Sequence, residues 1–543
     1  MANTTVYQAF RDTAQKWGDK PFVCTLPETA EIYGIEAGEL TYSQALERID
    51  ALRAGYAAAG YGHGHRVGIL LENRPVFFLH WFALNSLGVS IVPINPDLRA
   101  AELEYLIGHS EMIMAIALPS RHQDLVEAAQ RAGQPFAIMA DGDVPPMVER
   151  AASRSCDIPD EHSECALLYT SGTTGRPKGC MLANQYFHYA GEWYRDIGGL
   201  VSLEHGKERM LTPLPLFHMN AMACSTMAMI KTGGCLISLD RFHPRSWWDS
   251  VRDSGATVVH YLGVMPAILM KAEASEKDRQ HSVRFGFGAG VDRGLHPIFE
   301  ERFGFPLLEA WAMTETGAGA SIIANHEPRH IGTSCFGKEM PVVEVLLRKD
   351  DGEPAQAGEN GELLVRSAGD NPRYGFFSGY WKDPAATDEA WEGGWFHTGD
   401  IVCRDEEGYL HFVDRKKNVI RRSGENIAAV EVENIMQQHP LVRSIAVAAV
   451  PDAIRGDEVM ALVVPHNPIE TQEQREQAAQ EMVQWGLTQL AYFKVPGYVL
   501  FVDALPLTST NKIQRGELKT VALAALENPA CVNTNHLKKR QEA

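Results

Sequence analysis

Between Leu167 and Gly179 the chain reads Leu-Leu-Tyr-Thr-Ser-Gly-Thr-Thr-Gly-Arg-Pro-Lys-Gly. An apolar strand runs into the hydroxyl residues Thr170, Ser171, Thr173 and Thr174, the glycines Gly172, Gly175 and Gly179, and a single lysine, Lys178. Glycines let successive backbone N–H groups turn toward an anion, hydroxyls add neutral donors, and lysine brings charge. That combination suits a polyphosphate. It is not a Walker A loop, whose pattern is G-x-x-x-x-G-K-[S/T], because Pro177 precedes Lys178 and Gly179 follows it. A second glycine run, Gly286-x-Gly288-x-Gly290, lacks the G-x-G-x-x-G spacing and is a weak dinucleotide signal.

The elements around this loop alternate. Ser43 to Ala59 carries apolar residues at helical spacing, Arg66 to Leu71 reads as a buried strand, and a helix from Val76 leads into a strand at Val89. A helix over Ala101 to His109, a strand over Met112 to Ala117, and strands and helices between Thr257 and Phe303 continue the pattern. Such alternation predicts parallel sheets covered by helices. After about Asn325, short runs such as Glu344 to Leu347 and Gly361 to Val365 are separated by Gly, Pro and Asp clusters, which predicts antiparallel strands and a small β-barrel-like part. The charged stretch Asp414-Arg415-Lys416-Lys417-Asn418 then leads into a fresh α/β pattern. The expected architecture is α/β, with a body over 1–414 and a smaller, mobile α+β lid over 415–543.

The bulk numbers bound the function. With 543 residues the chain exceeds one ordinary core. Lys plus Arg is 50 against Asp plus Glu 69, a net charge of −19, which argues against a protein whose main task is holding nucleic acid. The nine cysteines, at 24, 156, 165, 180, 224, 235, 335, 403 and 531, form no C-x-x-C pair and are odd in number. They read as scattered core thiols in a reducing compartment. No basic start precedes an apolar run at the N-terminus, and the most apolar stretch, Val76 to Ile94, is interrupted by His80, Asn85 and Ser86. A cytoplasmic protein without a signal peptide or membrane span is expected.

Thr170 to Gly179 resembles the signature loop of the adenylate-forming superfamily, which includes acyl-CoA synthetases, peptide-synthetase adenylation domains and firefly luciferase. Further segments resemble the family's motifs in the family's order. They are Leu214-Pro215-Leu216-Phe217-His218, Trp311-Ala312-Met313-Thr314-Glu315, Trp395-Phe396-His397-Thr398-Gly399-Asp400, Asp414-Arg415-Lys416-Lys417 with Ser423-Gly424-Glu425-Asn426-Ile427, and Pro506 to Ile513 around Lys512. Phe412 to Arg415, Val430 to Ile435 and Phe493-Lys494-Val495-Pro496 resemble crotonobetaine/carnitine–CoA ligases and similar small-acid CoA ligases.

The resemblance implies two-step chemistry with ATP, Mg²⁺ and CoA: a carboxylate displaces pyrophosphate to give acyl-AMP, and a thiol then displaces AMP. It implies Lys512 as the cation bridging carboxylate and α-phosphate, in a motif where Asn511 replaces the usual Gly. Asn tolerates positive φ better than most residues. The loop from Thr170 to Lys178 would hold the β- and γ-phosphates, Glu315 would face Mg²⁺, and Thr314 belongs to the same motif. Asp400 would accept both ribose hydroxyls. Arg415 would contact the ribose or phosphate edge, Trp311 would lie against adenine, and Ala289 and Gly290 beside the purine. Lys417 would be the hinge about which the lid swings, withdrawing Lys512 and bringing Gly424, Glu425 and Asn426 to a pantetheine tunnel.

For the acyl pocket the resemblance implies His218, which lies near the carboxylate, with Met219, Ala221, Met222, Gly263, Val264, Phe287, Gly288, Ala312 and Met313. Ala312 stands where Gly is frequent and shortens the pocket by one methyl, so a small to medium acid is expected; a carnitine-like one rests on the wording of the motifs. Two alternatives stay open: loading of a carrier-protein thiol, and a non-catalytic nucleotide- or acyl-binding relative. The partners expected are the acid, ATP and CoA, and a homodimer is left open.

Overall fold

The structure is a computed structural model that describes residues 5–149, 158–170, 176–415, 419–506 and 514–539, with the side chains of 414, 415, 515 and 516 left out. Two helix-covered sheets make most of the body. One has seven strands in the order Gly379–Tyr380, Lys178–Ala183, Glu164–Thr170, Ser90–Pro93, Arg66–Leu70, Met114–Ala117 and Ala137–Met139. It is parallel from Glu164–Thr170 onward, and Lys178–Ala183 joins antiparallel as the return arm of a hairpin. The other has eight strands, parallel through its centre and antiparallel at both edges. Central strands of this kind are buried on both faces, which is why Arg66–Leu70 and Ser90–Pro93 are buried throughout.

The helix Pro75–Asn85 is buried over nearly its whole circumference, Phe78, Trp81, Phe82 and Leu84 being fully enclosed. Among the described residues no helix is long and apolar enough to cross a membrane. The eight described cysteines are free, and six of them are buried.

The antiparallel part expected after Asn325 is a five-stranded sheet, Cys335–Lys338, Tyr409–Arg415, Phe396–Arg404, Asn360–Ser367 and Val343–Arg348 in that order. Three of its four pairings carry a register shift. Such bulges bend strands, but among the described residues the two end strands do not pair, so the sheet stays open rather than closing as a barrel.

The fourth sheet is built from residues 419–533, and its longest hairpin pairs Val442–Asp452 with Gly456–Pro465. It is packed by the helices Ala429–Met436, Gln472–Gln489 and Arg515–Ala525, and its apolar clusters are separate from those of the body. It meets the body through a buried ion cluster. Lys494 Nζ lies 2.7 Å from Glu102 Oε1 on the helix Ala100–Ser110 and 2.7 Å from Glu431 Oε1, and the Ala491 N–H donates to Glu102 Oε2 at 2.8 Å. Burial alone would lower the Lys494 ammonium, but the two carboxylates outweigh it and hold the group above its ordinary value.

Candidate functional site

A cavity of about 540 Å³ lies between the two large sheets, the antiparallel sheet and the C-terminal sheet. Its wall includes Thr170, Leu262, Ala289 and Ala312, which end or follow parallel strands at their C-terminal edge. Open α/β sheets bind ligands at that edge.

One end is polar. Thr170 closes its strand directly opposite Lys178, so the two ends of the glycine-rich loop are held side by side. Ser171, Gly172, Thr173, Thr174 and Gly175 lie outside the described residues. Lys178 Nζ stands 4.8 Å from the centroid of the Tyr380 ring. Glu315, 6% exposed, lines the cavity, and its Oε1 accepts from the Tyr380 hydroxyl at 2.9 Å and from Thr170 Oγ1 at 3.3 Å. Burial and the adjacent Glu315 carboxylate raise the Tyr380 phenol well above its ordinary range, so it stays a donor. Thr314 lines the same wall while its backbone carbonyl accepts from Tyr186.

Asp400 and Trp311 are set together. The Trp311 indole N–H donates to Asp400 Oδ2 at 2.9 Å, with Asp400 only 1% exposed. Neither is on the wall itself; Thr398 and Gly399 are. Arg415 pairs with Asp400 across the antiparallel strands, its backbone alone being described. Ala289 is on the wall, whereas Gly290 is set back, with φ +82° and its N–H donated to Glu309 Oε2 at 2.8 Å.

The other end is largely apolar. The structure brings His218, Met219, Phe287, Gly288, Ala312 and Met313 onto its wall. It moves four expected lining residues off it. Ala221 and Met222 are fully buried in the core, because the turn Asn220–Ser225 is π-helical. That wider winding, closing i→i+5, turns Asn220 and Cys224 to the cavity instead. Gly263 and Val264 are also corrected: a Cβ on Gly263 would stand 1.7 Å from the Gly290 carbonyl oxygen, and Val264 packs on the neighbouring core. The preceding residues Tyr261 and Leu262 face the cavity.

Four residues of the C-terminal sheet, Val419, Arg421, Gly424 and Asn426, complete the wall. Glu425 Oε1 approaches His218 Nε2 at 3.3 Å. A second cavity of about 190 Å³ shares Thr170, His218, Thr314, Gly424 and Asn426 with the first and reaches the Glu102, Glu431 and Lys494 cluster. The Gly424 loop therefore stands at the junction of two chambers. Gly424 has φ +90°, and a Cβ there would meet Leu262 Cδ1 at 2.3 Å. Gly424→Ala should slow thioester formation about tenfold and leave acyl-AMP formation within twofold. Single-turnover assays of the two half-reactions check this, and equal loss in both would refute it. Lys417 and Lys512 lie outside the described residues.

Sequence reasoning missed Tyr380, Asn220, Cys224, Glu362 and Arg421, all on the wall. Tyr380 sits in a two-residue strand added to the edge of Lys178–Ala183, which no local pattern marks. Only the π-helical turn brings Asn220 and Cys224 round.

Residues 10–381 match the model of the AMP-binding enzyme family, and residues 431–512 match that of the AMP-binding enzyme C-terminal domain. The chain belongs to the AMP-binding enzyme family. It is 31% identical over 529 residues to a crotonobetaine/carnitine–CoA ligase of Salmonella paratyphi B, covering 94% of this chain and 98% of that one. A structure of o-succinylbenzoate CoA synthetase from Bacillus subtilis superposes with a TM-score of 0.79 at 22% identity, covering 94% of this chain and 97% of that one. A malonyl-CoA ligase product complex superposes with a TM-score of 0.72 at 25% identity, covering 90% and 97%. The α/β architecture is that of these enzymes, and the chain is an AMP-forming acyl-CoA ligase.

Proposed function

We propose that the protein joins a small to medium carboxylic acid to CoA, through acyl-AMP, with ATP carrying Mg²⁺. The observation that carries this reading is the Gly424–Asn426 loop, set on the wall shared by the two chambers with Glu425 against His218. A thiol arriving through the smaller chamber would meet an acyl group held in the larger one.

In the first step a carboxylate oxygen attacks the α-phosphorus, the new C–O–P linkage forms and pyrophosphate leaves. Two anions meet, so neutralising charge governs the barrier. Lys178 and the hydroxyls of the loop from Thr170 to Thr174 would hold the outer phosphates. The oxygen set of Glu315, Thr170 and Tyr380 fits a hard cation such as Mg²⁺, which would lower the charge of the phosphates it accompanies. Among the described residues no group of three His, Cys, Asp or Glu side chains forms a metal cage, so most ligands would come from phosphate and water. Lys512 would bridge the carboxylate and the α-phosphate, Asp400 would accept from the ribose with Arg415 beside it, and Trp311 would bound the adenine.

In the second step the thiol sulfur attacks the acyl carbonyl and AMP leaves. We assign this step to the arrangement seen here, and the first to a second arrangement reached by turning 415–543 against 1–414 about Lys417. Domain alternation of this kind lets one chain offer two active sites. The 31% identity with the Salmonella ligase speaks for a carnitine-like acid, whereas the uncharged surroundings of Asn220 at the acyl end speak for an uncharged one.

Pyrophosphate release and AMP formation should both be seen with ATP–Mg²⁺ and a short acid, with multiple turnover only when CoA is added. CoA-independent turnover would move the assignment to another acceptor, and no release with any acid would overturn the ligase reading.

A further inference from the structure

The apolar end of the larger cavity holds one polar group with an unused donor. Asn220 lines the wall, and its Oδ1 lies 2.7 Å from Nδ1 of His260, which is fully buried. His260 Nε2 lies 3.0 Å from the Tyr194 hydroxyl, whose only acceptor among the described residues is this ring nitrogen. A buried hydroxyl donates where it can, so Tyr194 donates to Nε2. Nδ1 then carries the ring proton and donates it to Asn220 Oδ1. Ser225 Oγ closes the chain, 3.0 Å from Nδ1 and 3.3 Å from the Asn220 carbonyl. The ring packs against both Tyr194 and Phe287, 5.7 and 4.9 Å centroid to centroid, in a three-ring cluster. The amide is thereby fixed with its oxygen inward. Its Nδ2 has no acceptor among the described residues.

Around Asn220 itself the buried neighbours carry no charge. Burial alone lowers His260 to about 3 and raises Cys224 to about 12, with no charged side chain acting on either. The carboxylates of the cavity wall are Glu315 at the phosphate end, Glu362 beside His397 and Gly399, and Glu389 with Glu392, whose carbonyl faces His397; Glu425 of the smaller cavity is held against His218. A cationic tail placed here would lose its hydration without a counter-charge, which is costly. A neutral oxygen would gain a donor that is otherwise wasted.

We propose that Asn220 is a specificity-determining residue, its amide donating to a hydroxyl or carbonyl oxygen on an uncharged acyl chain, so that the preferred substrates are short oxygen-bearing acids rather than plain alkyl or quaternary-ammonium acids. This rests on the acid–CoA ligase reading and names the substrate class of that same site. Once a bound acid shields the half-buried Asn220 amide from water, leaving its donor without a partner costs a factor of about ten to a hundred in discrimination.

The test is kcat/KM for butanoate, 3-hydroxybutanoate, 4-hydroxybutanoate, 3-oxobutanoate and 4-(trimethylammonio)butanoate, with saturating ATP–Mg²⁺ and CoA. Wild type should favour at least one oxygen-bearing acid over butanoate and over the ammonium acid by about tenfold or more. Asn220→Leu should erase that ratio, losing about tenfold more on the oxygen-bearing acids than on butanoate. Asn220→Asp keeps the acceptor for His260 but offers a charge in place of the amide, and it should shift preference toward the ammonium acid. Using ratios within each variant removes any general loss from folding. Equal use of butanoate and the oxygenated acids by wild type overturns the proposal, as do variants that lower every acid alike. Wild type releasing no pyrophosphate with any of the acids overturns the ligase reading itself, a result distinct from an active but unselective enzyme.

Discussion

Replacing Lys494 with alanine should slow thioester formation from added acyl-AMP by about a hundredfold or more while leaving pyrophosphate release within a few-fold. The ammonium bridges Glu102 on the body and Glu431 on the C-terminal part, at 2.7 Å from each, and all three side chains are at least nine-tenths buried. Among the described residues Glu431 Oε2 already lacks a hydrogen-bond partner. Without Lys494, two carboxylates would face each other in a dry interface. Burial and the neighbouring Glu431 already push the Glu102 carboxyl upward against the pull of Lys494. Removing one member of a buried ion cluster costs about 3–5 kcal/mol. That cost falls on the arrangement seen here and not on one in which the two parts have turned apart. Neutralising the whole cluster, with Glu102→Gln, Glu431→Gln and Lys494→Met, should restore much of the rate. Equal losses in both half-reactions, or none, would refute this account.

Lys512→Ala should produce the opposite split. Acyl-AMP formation should fall by about 10²–10³-fold, the scale for losing one charge-stabilising donor in a reaction between anions. Thioester formation from supplied acyl-AMP should stay near normal. The pair of variants would then separate the two steps, and Lys512→Ala forming acyl-AMP at the normal rate would remove Lys512 from the chemistry. Rapid-quench measurement of the two half-reactions reads both results.

The parallel sheets were legible because a strand buried on both faces is written as a continuous apolar run. Arg66–Leu70 and Met114–Ala117 begin within two residues of where that pattern places them. The helix Leu295–Phe303 closes the alternating stretch expected between Thr257 and Phe303. The glycine run after Phe285 was harder to read: it is the strand Phe285–Ala289, not a turn. A Cβ on Gly288 would meet the Tyr261 carbonyl oxygen at 2.3 Å, so the glycine answers a neighbouring strand far away in sequence.

By itself, then, the sequence determined the order of elements, the glycine- and hydroxyl-rich character of Thr170 to Lys178 from which a polyphosphate site is expected, and the separate C-terminal pattern, because these depend on residue type and short-range spacing. Tertiary structure alone decided which side chains meet. Tyr380 reaches Glu315 because a two-residue edge strand pairs with Lys178–Ala183. Asn220 rather than Ala221 faces the cavity because one turn is wound as a π-helix. Lys494 joins Glu102 across 392 residues of chain. Each is a contact made by packing, and packing is a property of surfaces that only the folded chain possesses. The same holds for the excess of 19 negative charges. Composition gives only their sum; the fold decides that Lys178 faces the cavity beside the buried carboxylate of Glu315.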